Sequence, residues 1–154
     1  MYLDPWLADE NHRSGLHKIN PAIKTIADAE ELRAALADGR IDTIATDHAP
    51  HLLSEKEGGA LTAASGAPSI QFAVPLMLTY LPIDLVVAKM SAGVADVFGL
   101  GDYGTLTPGQ AADLSIITPT DDYIISEQDI ISSCGWSPFT GRKLSFRTDA
   151  MVSR

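Results

Sequence analysis

Thr43-Ile44-Ala45-Thr46-Asp47-His48-Ala49-Pro50-His51 is the stretch on which the reading of this chain turns. The β-branched run Thr43 to Thr46 has the length and composition of a buried strand, and it breaks into an ionisable pair followed by a proline. In parallel α/β folds such polar residues sit where strands end, because the strand is rigid there and the next loop opens to solvent. Asp47, His48 and His51 are therefore the leading candidates for chemistry.

Upstream, Asp28 to Asp38 reads as a helix. Asp28 and Glu31 have the spacing of a capping box, Leu32, Ala35 and Leu36 share one apolar face, and Gly39 ends the run. Before it, Lys18 to Thr25 reads as an extended segment, since a residue preceding proline, here Asn20, is pushed out of helical space. Taken alone, Asn20 reads as a turn cap. Strand, helix and strand over residues 18 to 47 make the βαβ pattern of a parallel sheet. Met1 to His17 shows no period and reads as a loop, with His12 and His17 as surface residues.

Downstream, a long loop with Gly58-Gly59 and Ser65-Gly66-Ala67-Pro68 runs to about Ser69, and loops of that length beside a candidate site are usually functional. Helices are predicted over 69–80, with Pro75 in an early turn, over 83–90 and over 92–98. Beyond Leu100 the texture becomes β: Gly104 to Gly109 into a Pro-Gly turn, Asp113 to Ile117, Tyr123 to Ile125, and Leu144 to Val152. Gly99-x-Gly101-x-x-Gly104 has the letters of a phosphate loop, but it follows a helix and precedes a strand, the wrong order.

The 154 residues suffice for a domain with a real core, and 45% hydrophobic content excludes global disorder. The 20 acidic against 11 basic side chains, a formal charge of -9, argue against nucleic acid or an anionic membrane as partner. No apolar run is long enough to span a bilayer, and Met1-Tyr2-Leu3-Asp4-Pro5 lacks the order of a signal peptide. The single cysteine, Cys134, leaves no intrachain disulfide, fits a reducing cytoplasm and reads as a small buried apolar residue.

Lys18-Ile19-Asn20-Pro21, Ala37-Asp38-Gly39-Arg40-Ile41-Asp42 and the Asp-His-Ala-Pro-His motif at 47–51 together resemble the C-terminal part of a dihydroorotase of the amidohydrolase superfamily. Gly104 to Leu114 and Trp136-Ser137-Pro138-Phe139-Thr140-Gly141 are similar to the segments that close the small β domain of these enzymes. The resemblance implies an α/β fold: the C-terminal part of a (β/α)8 TIM-type barrel, residues 1–100, plus a small β extension, residues 101–154. A whole barrel takes about 200 residues or more, and the chain has no His-x-His pair. Only the last two strands, their helices and the extension are therefore expected.

The same resemblance implies roles. Asp47 would be a metal ligand and the catalytic proton carrier, and His51 and Asn20 would bind the substrate carboxylate. His48 stays open between ligand and a packing role behind the ligands. The loop at Ser65 to Pro68 would bring backbone groups to the substrate ring, although Gly66-Ala67-Pro68 departs from the family's Pro-Gly order. The implied cofactor is zinc, one or two divalent ions, with most ligands absent from this chain. A small-molecule substrate, a cytoplasmic location and an oligomer fit the same picture. A hydantoinase or allantoinase, or a non-catalytic dihydroorotase-like module, are the alternatives.

Overall fold

The computed structural model describes residues 1–9 and 14–153, with Ala60 described by its backbone alone. His12 lies outside the described residues. Two compact units alternate along the chain: one takes residues 1–34, 46–73 and 124–142, the other 35–45, 74–123 and 143–154. The division expected near Leu100 from the change of texture follows a different line.

In the first unit the N-terminal segment is not the featureless loop expected. Asp4 accepts the Trp6 N–H at 3.0 Å and caps helix α1, Pro5–Ala8, with proline at its first position. Ser14 and His17 close a 3-10 turn, Gly15–His17. His17 is half-buried rather than free on the surface: its Nδ1 accepts the Ser14 N–H at 3.1 Å and its Nε2 lies 3.3 Å from the Pro138 carbonyl, the geometry of an Nε2–H donor. Burial holds His17 below the usual imidazole range, outweighing the Pro138 hydrogen bond that pulls the other way. Leu7, Phe72, Ile125, Trp136 and Phe139 are among this unit's buried apolar side chains. Gln71 ties residues 129 and 131 to it, donating to the Asp129 carbonyl at 2.5 Å and accepting from Ile131 N–H at 3.1 Å.

Helix α2 runs Ile26–Ala37. Its box is formed by Thr25 and Asp28 rather than Asp28 and Glu31: the Asp28 carboxylate accepts the Thr25 N–H at 3.0 Å, and Thr25 Oγ1 accepts the Asp28 N–H at 3.3 Å. The Thr25 hydroxyl, which donates to the same carboxylate, and then the Thr25 N–H hold the Asp28 carboxyl below its ordinary range. Ala29, Ala35 and Leu36 are buried, Leu32 half-buried, and Gly39 takes the left-handed turn at φ 87°, as expected.

The expected βαβ unit is not formed. Neither 18–25 nor 43–46 is a strand, and Thr43 to Thr46 is half-exposed to exposed rather than buried. A strand is completed by its neighbour's backbone groups, and in the second unit the Ile44 N–H goes instead to the Lys89 carbonyl at 2.9 Å. Lys89 Nζ in turn donates to the Ile41 carbonyl at 2.6 Å.

Helix α3 is the short turn Gly59–Thr62 in the first unit's long loop. Helix α4 spans Ala73–Tyr80, four residues shorter at its start than expected, and Pro75 falls in its first turn where no donor is lost. The two helices expected next are one continuous run: α5, Ile83–Val87, a π segment, Ala88–Ala92, and α6, Gly93–Phe98, ended by Gly99 at φ 67°. Glycine is needed at 93, where a Cβ would stand 2.5 Å from the Ala88 carbonyl oxygen and 3.0 Å from that of Asp42.

Residues 104–109 are turn rather than strand, with the Pro108-Gly109 turn as read. The strands at 113–117 and 123–125 merge into β1, Leu114–Ile124, paired with β2, Lys143–Val152, in a two-stranded ribbon. Lys143 donates to Asp122 at 2.6 Å and Thr118 bonds Asp149, so the pairing is antiparallel. Beneath the ribbon, within the second unit, lies a cavity of about 420 Å³ lined in part by Leu78, Met90, Leu114 and Phe146. No helix among the described residues is long and apolar enough to cross a membrane.

Candidate active site

Asp47, His48, His51 and Asn20 all belong to the first unit. Asp47 has φ 46°, the only positive φ of a non-glycine residue among those described. The left-handed conformation costs a residue with a Cβ about 1–2 kcal/mol. Its carboxylate is exposed, and no hydrogen bond or ion pair to it is formed among the described residues. Its charge is felt at Tyr2, whose phenol is pushed above its ordinary value by burial and then by Asp47. Tyr2 Oη donates to the Pro21 carbonyl, and the Asn20–Pro21 peptide is cis, so the exposed Asn20 sits on a turn fastened to Tyr2.

His48 is fixed by the loop that follows. Its backbone pairs in parallel with Ala67, the Ala49 N–H donates to the Ala67 carbonyl at 3.1 Å, and Ser69 Oγ donates to the Thr46 carbonyl at 2.8 Å. The Ser69 and Ile70 N–H groups approach His48 Nδ1 at 3.1 and 3.3 Å. Nδ1 is thus an acceptor, which puts the ring proton of the neutral form on Nε2.

His51 Nε2 lies 3.1 Å from the Ser65 carbonyl, which it serves as donor, and Nδ1 is 3.7 Å from the Glu55 carboxylate, an ion pair when the ring is protonated. The His51 carbonyl accepts the indole N–H of buried Trp136 at 2.7 Å. Gly66, at φ 139°, lies flat against this segment: a Cβ would stand 2.8 Å from Ala49 Cβ and 3.0 Å from His51 Cδ2. Cys134, read as a buried apolar residue, is half-buried and polar in its contacts, 3.1 Å from Ser132 Oγ and 3.7 Å from the Trp136 carbonyl.

Lys56 was not legible as a site neighbour. It is 3% exposed, and its ammonium donates to the carbonyls of Lys18, Ala64 and Gly66 at 3.0, 2.7 and 2.8 Å. Burial first and Lys18 second hold it below the usual lysine range. A lysine in a polar loop reads as solvated, and its acceptors are main-chain groups with no residue signature. The glycines at 58, 59 and 66 were the one hint of close packing.

Among the described residues, no three His, Cys, Asp or Glu side chains converge as a metal site. The described residues therefore do not by themselves make a metal centre, although the exposed carboxylate of Asp47 is suited to contribute one oxygen to a centre built with others.

Comparison with known proteins places this geometry. The model of the Amidohydrolase family matches residues 9–150. The chain is 40% identical over 129 residues to the dihydroorotase of Halobacterium salinarum, covering 80% of this chain and 31% of that protein. It is 36% identical over 138 residues to the dihydroorotase of Ligilactobacillus salivarius, covering 86% and 32%. Among solved structures, the L-hydantoinase (dihydropyrimidinase) from Arthrobacter aurescens superposes with a TM-score of 0.79 at 26% identity, over 96% of this chain and 36% of that one. The chain spans about a third of the length of the curated relatives it matches. With nearly its whole length inside the family match, the chain belongs to the amidohydrolase family.

Proposed function

We propose that this chain is the C-terminal portion of a dihydroorotase, a metal-dependent cyclic amidohydrolase that interconverts carbamoyl aspartate and dihydroorotate in cytoplasmic pyrimidine synthesis. The observation that carries the reading is the 36–40% identity to dihydroorotases, over matches long enough to include Asp47 to His51. In this reading residues 1–100 complete the (β/α)8 barrel and 101–154 belong to its small β domain. The divalent ions, zinc by expectation, belong to the whole enzyme, with Asp47 as one ligand.

Asp47 takes a proton from the attacking water and returns it to the ring nitrogen that leaves, a task suited to an exposed carboxylate that no described residue engages. His51 and Asn20 hold the substrate carboxylate. With Nε2 engaged by Ser65, the nitrogen that faces an incoming anion is Nδ1, which donates only in the protonated ring, the state in which it also pairs with Glu55. His48, its Nδ1 occupied by two main-chain N–H groups, keeps the loop in place. A hydantoinase-type cyclic amidase is the second reading, favoured by the Arthrobacter aurescens superposition.

A chimera tests both: this chain joined behind the N-terminal two-thirds or so of the Halobacterium salinarum dihydroorotase. Hydrolysis of dihydroorotate in preference to an uncharged hydantoin is expected. Preference for the hydantoin would select the second reading, and a folded, zinc-loaded chimera inert to both would sink the proposal.

A further inference from the structure

The loop that fixes His48 and His51 is itself gathered around one buried cation. All three donors of the Lys56 ammonium are used on main-chain carbonyls, those of Lys18, Ala64 and Gly66. The Lys18 carbonyl also accepts the Gly66 N–H at 3.0 Å, so the two segments are joined twice at one point. The ammonium lies 5.7 Å from the Trp136 ring centre, over the same indole that donates to the His51 carbonyl. Among the described residues no carboxylate pairs with it. A buried charge is costly unless its surroundings are arranged to meet it, and here the carbonyls do so.

From this knot two contacts lead into the candidate site. Gly66 stands against Ala49 and His51, and Ala67 pairs with His48 and accepts from Ala49. We propose that Lys56 is a positioning residue: by drawing the carbonyls of Lys18, Ala64 and Gly66 together it holds the 64–70 loop on the 47–51 segment and so sets the orientation of both histidines. The inference rests on the reading of Asp47 to His51 as the active site, but its test needs no turnover and can fail separately from that reading.

The test is amide hydrogen exchange and imidazole ¹⁵N spectra on the whole chain and on Lys56→Met, which keeps the stem and removes the charge. Exchange at Gly66 and Ala49 is expected to quicken by about tenfold or more, as for a local opening that has lost a buried charge-assisted bond. The amides of helix α4 should stay near their original rates, and the His48 signals should move from the single Nε2–H tautomer to an average of two. Should Lys56→Met give no folded protein, Lys56→Arg is read by the same criteria, since a planar fork cannot serve three converging carbonyls as an ammonium does. Unchanged exchange at Gly66 and Ala49 with an unchanged His48 tautomer would overturn the proposal. Equal acceleration at every amide would overturn it too, because Lys56 would then support the fold at large rather than the loop.

Discussion

Asp4 and Arg142 stand 138 positions apart in the chain, and a guanidinium nitrogen of one lies 2.9 Å from a carboxylate oxygen of the other. The Asp4 side chain is fully buried, Arg142 nearly so, and the guanidinium also lies 4.8 Å from the Trp6 ring centre. Removing the guanidinium leaves the buried Asp4 charge without this ion pair, although it keeps the Trp6 N–H. Arg142→Met should therefore cost about 3–5 kcal/mol. Both tryptophans, Trp6 and Trp136, lie in this unit, so urea unfolding followed by their fluorescence reads the loss directly. A loss under about 1 kcal/mol would mean the pair behaves as a surface contact.

Asp47 should separate stability from activity. Asp47→Gly relieves the left-handed conformation and should raise stability by about 0.5–1 kcal/mol, the relief being partly offset by the freer unfolded chain. In the chimera, Asp47→Asn should lower turnover by about 10²–10⁴-fold through loss of the proton carrier. Denaturation of the first variant and steady-state kinetics of the second are independent checks. A stabilising glycine together with a fully active asparagine would remove Asp47 from the chemistry.

His51→Ala, in the same chimera, should weaken dihydroorotate binding by about 1.5–3 kcal/mol, the worth of a hydrogen bond to a charged group, seen mostly in KM. Metal content should be unchanged, and so should kinetics on a hydantoin lacking the carboxylate. Loss of zinc in this variant would make His51 a ligand.

The pH response of the first unit should carry the mark of His17. Its folded-state value lies below the unfolded value of 6.5, so the unfolded chain binds the extra proton more readily. Stability is then fully present above pH 6.5 and falls as pH drops from there through the folded value, because burial disfavours the charged ring. Melting curves between pH 8 and pH 5 should show this slope, and His17→Gln should flatten it. An equal slope in the variant would assign it to other groups.

Purified alone and supplied with zinc, the chain should not hydrolyse dihydroorotate, since one candidate ligand does not make a metal centre. It should also associate. Leu61, Leu106, Ile131 and Met151 are 95, 85, 86 and 76% exposed, and a two-stranded ribbon has open edges. Size-exclusion chromatography that returned one sharp monomer peak would contradict the second expectation. Turnover lost in Asp47→Ala would contradict the first.

Features with a local cause were legible in the sequence. Helix α2, the place of Pro75 in the first turn of α4, the glycine ends at 39 and 99, and β2 each follow from a few neighbouring residues. The strand expected at 43–46 does not form, because a strand depends on what lies beside it. Asp4-Pro5 is a cap signature, masked in the sequence by the polar, aperiodic stretch around it. The Asp47 to His51 motif pointed to the region, but the left-handed backbone of Asp47 and the Nδ1 contacts of His48 depend on a loop twenty residues further on. Asp113 to Ile117 and Tyr123 to Ile125 read as two strands in the sequence, and pairing with β2 joins them into one.

The π segment Ala88–Ala92 has a consequence for phase. Each residue of an α-helix advances the chain by about 100°, so a turn that holds one more residue than an α turn shifts the faces on either side of it. Lys89 binds the 41–44 segment from within this turn, and Ser91, two residues on, donates to the Gly104 carbonyl at 3.0 Å. The extra residue lets both attachments be made from one continuous helix. A chain one residue shorter here could satisfy either the 41–44 segment or the turn at 104, each with its own rotation, but not the two together.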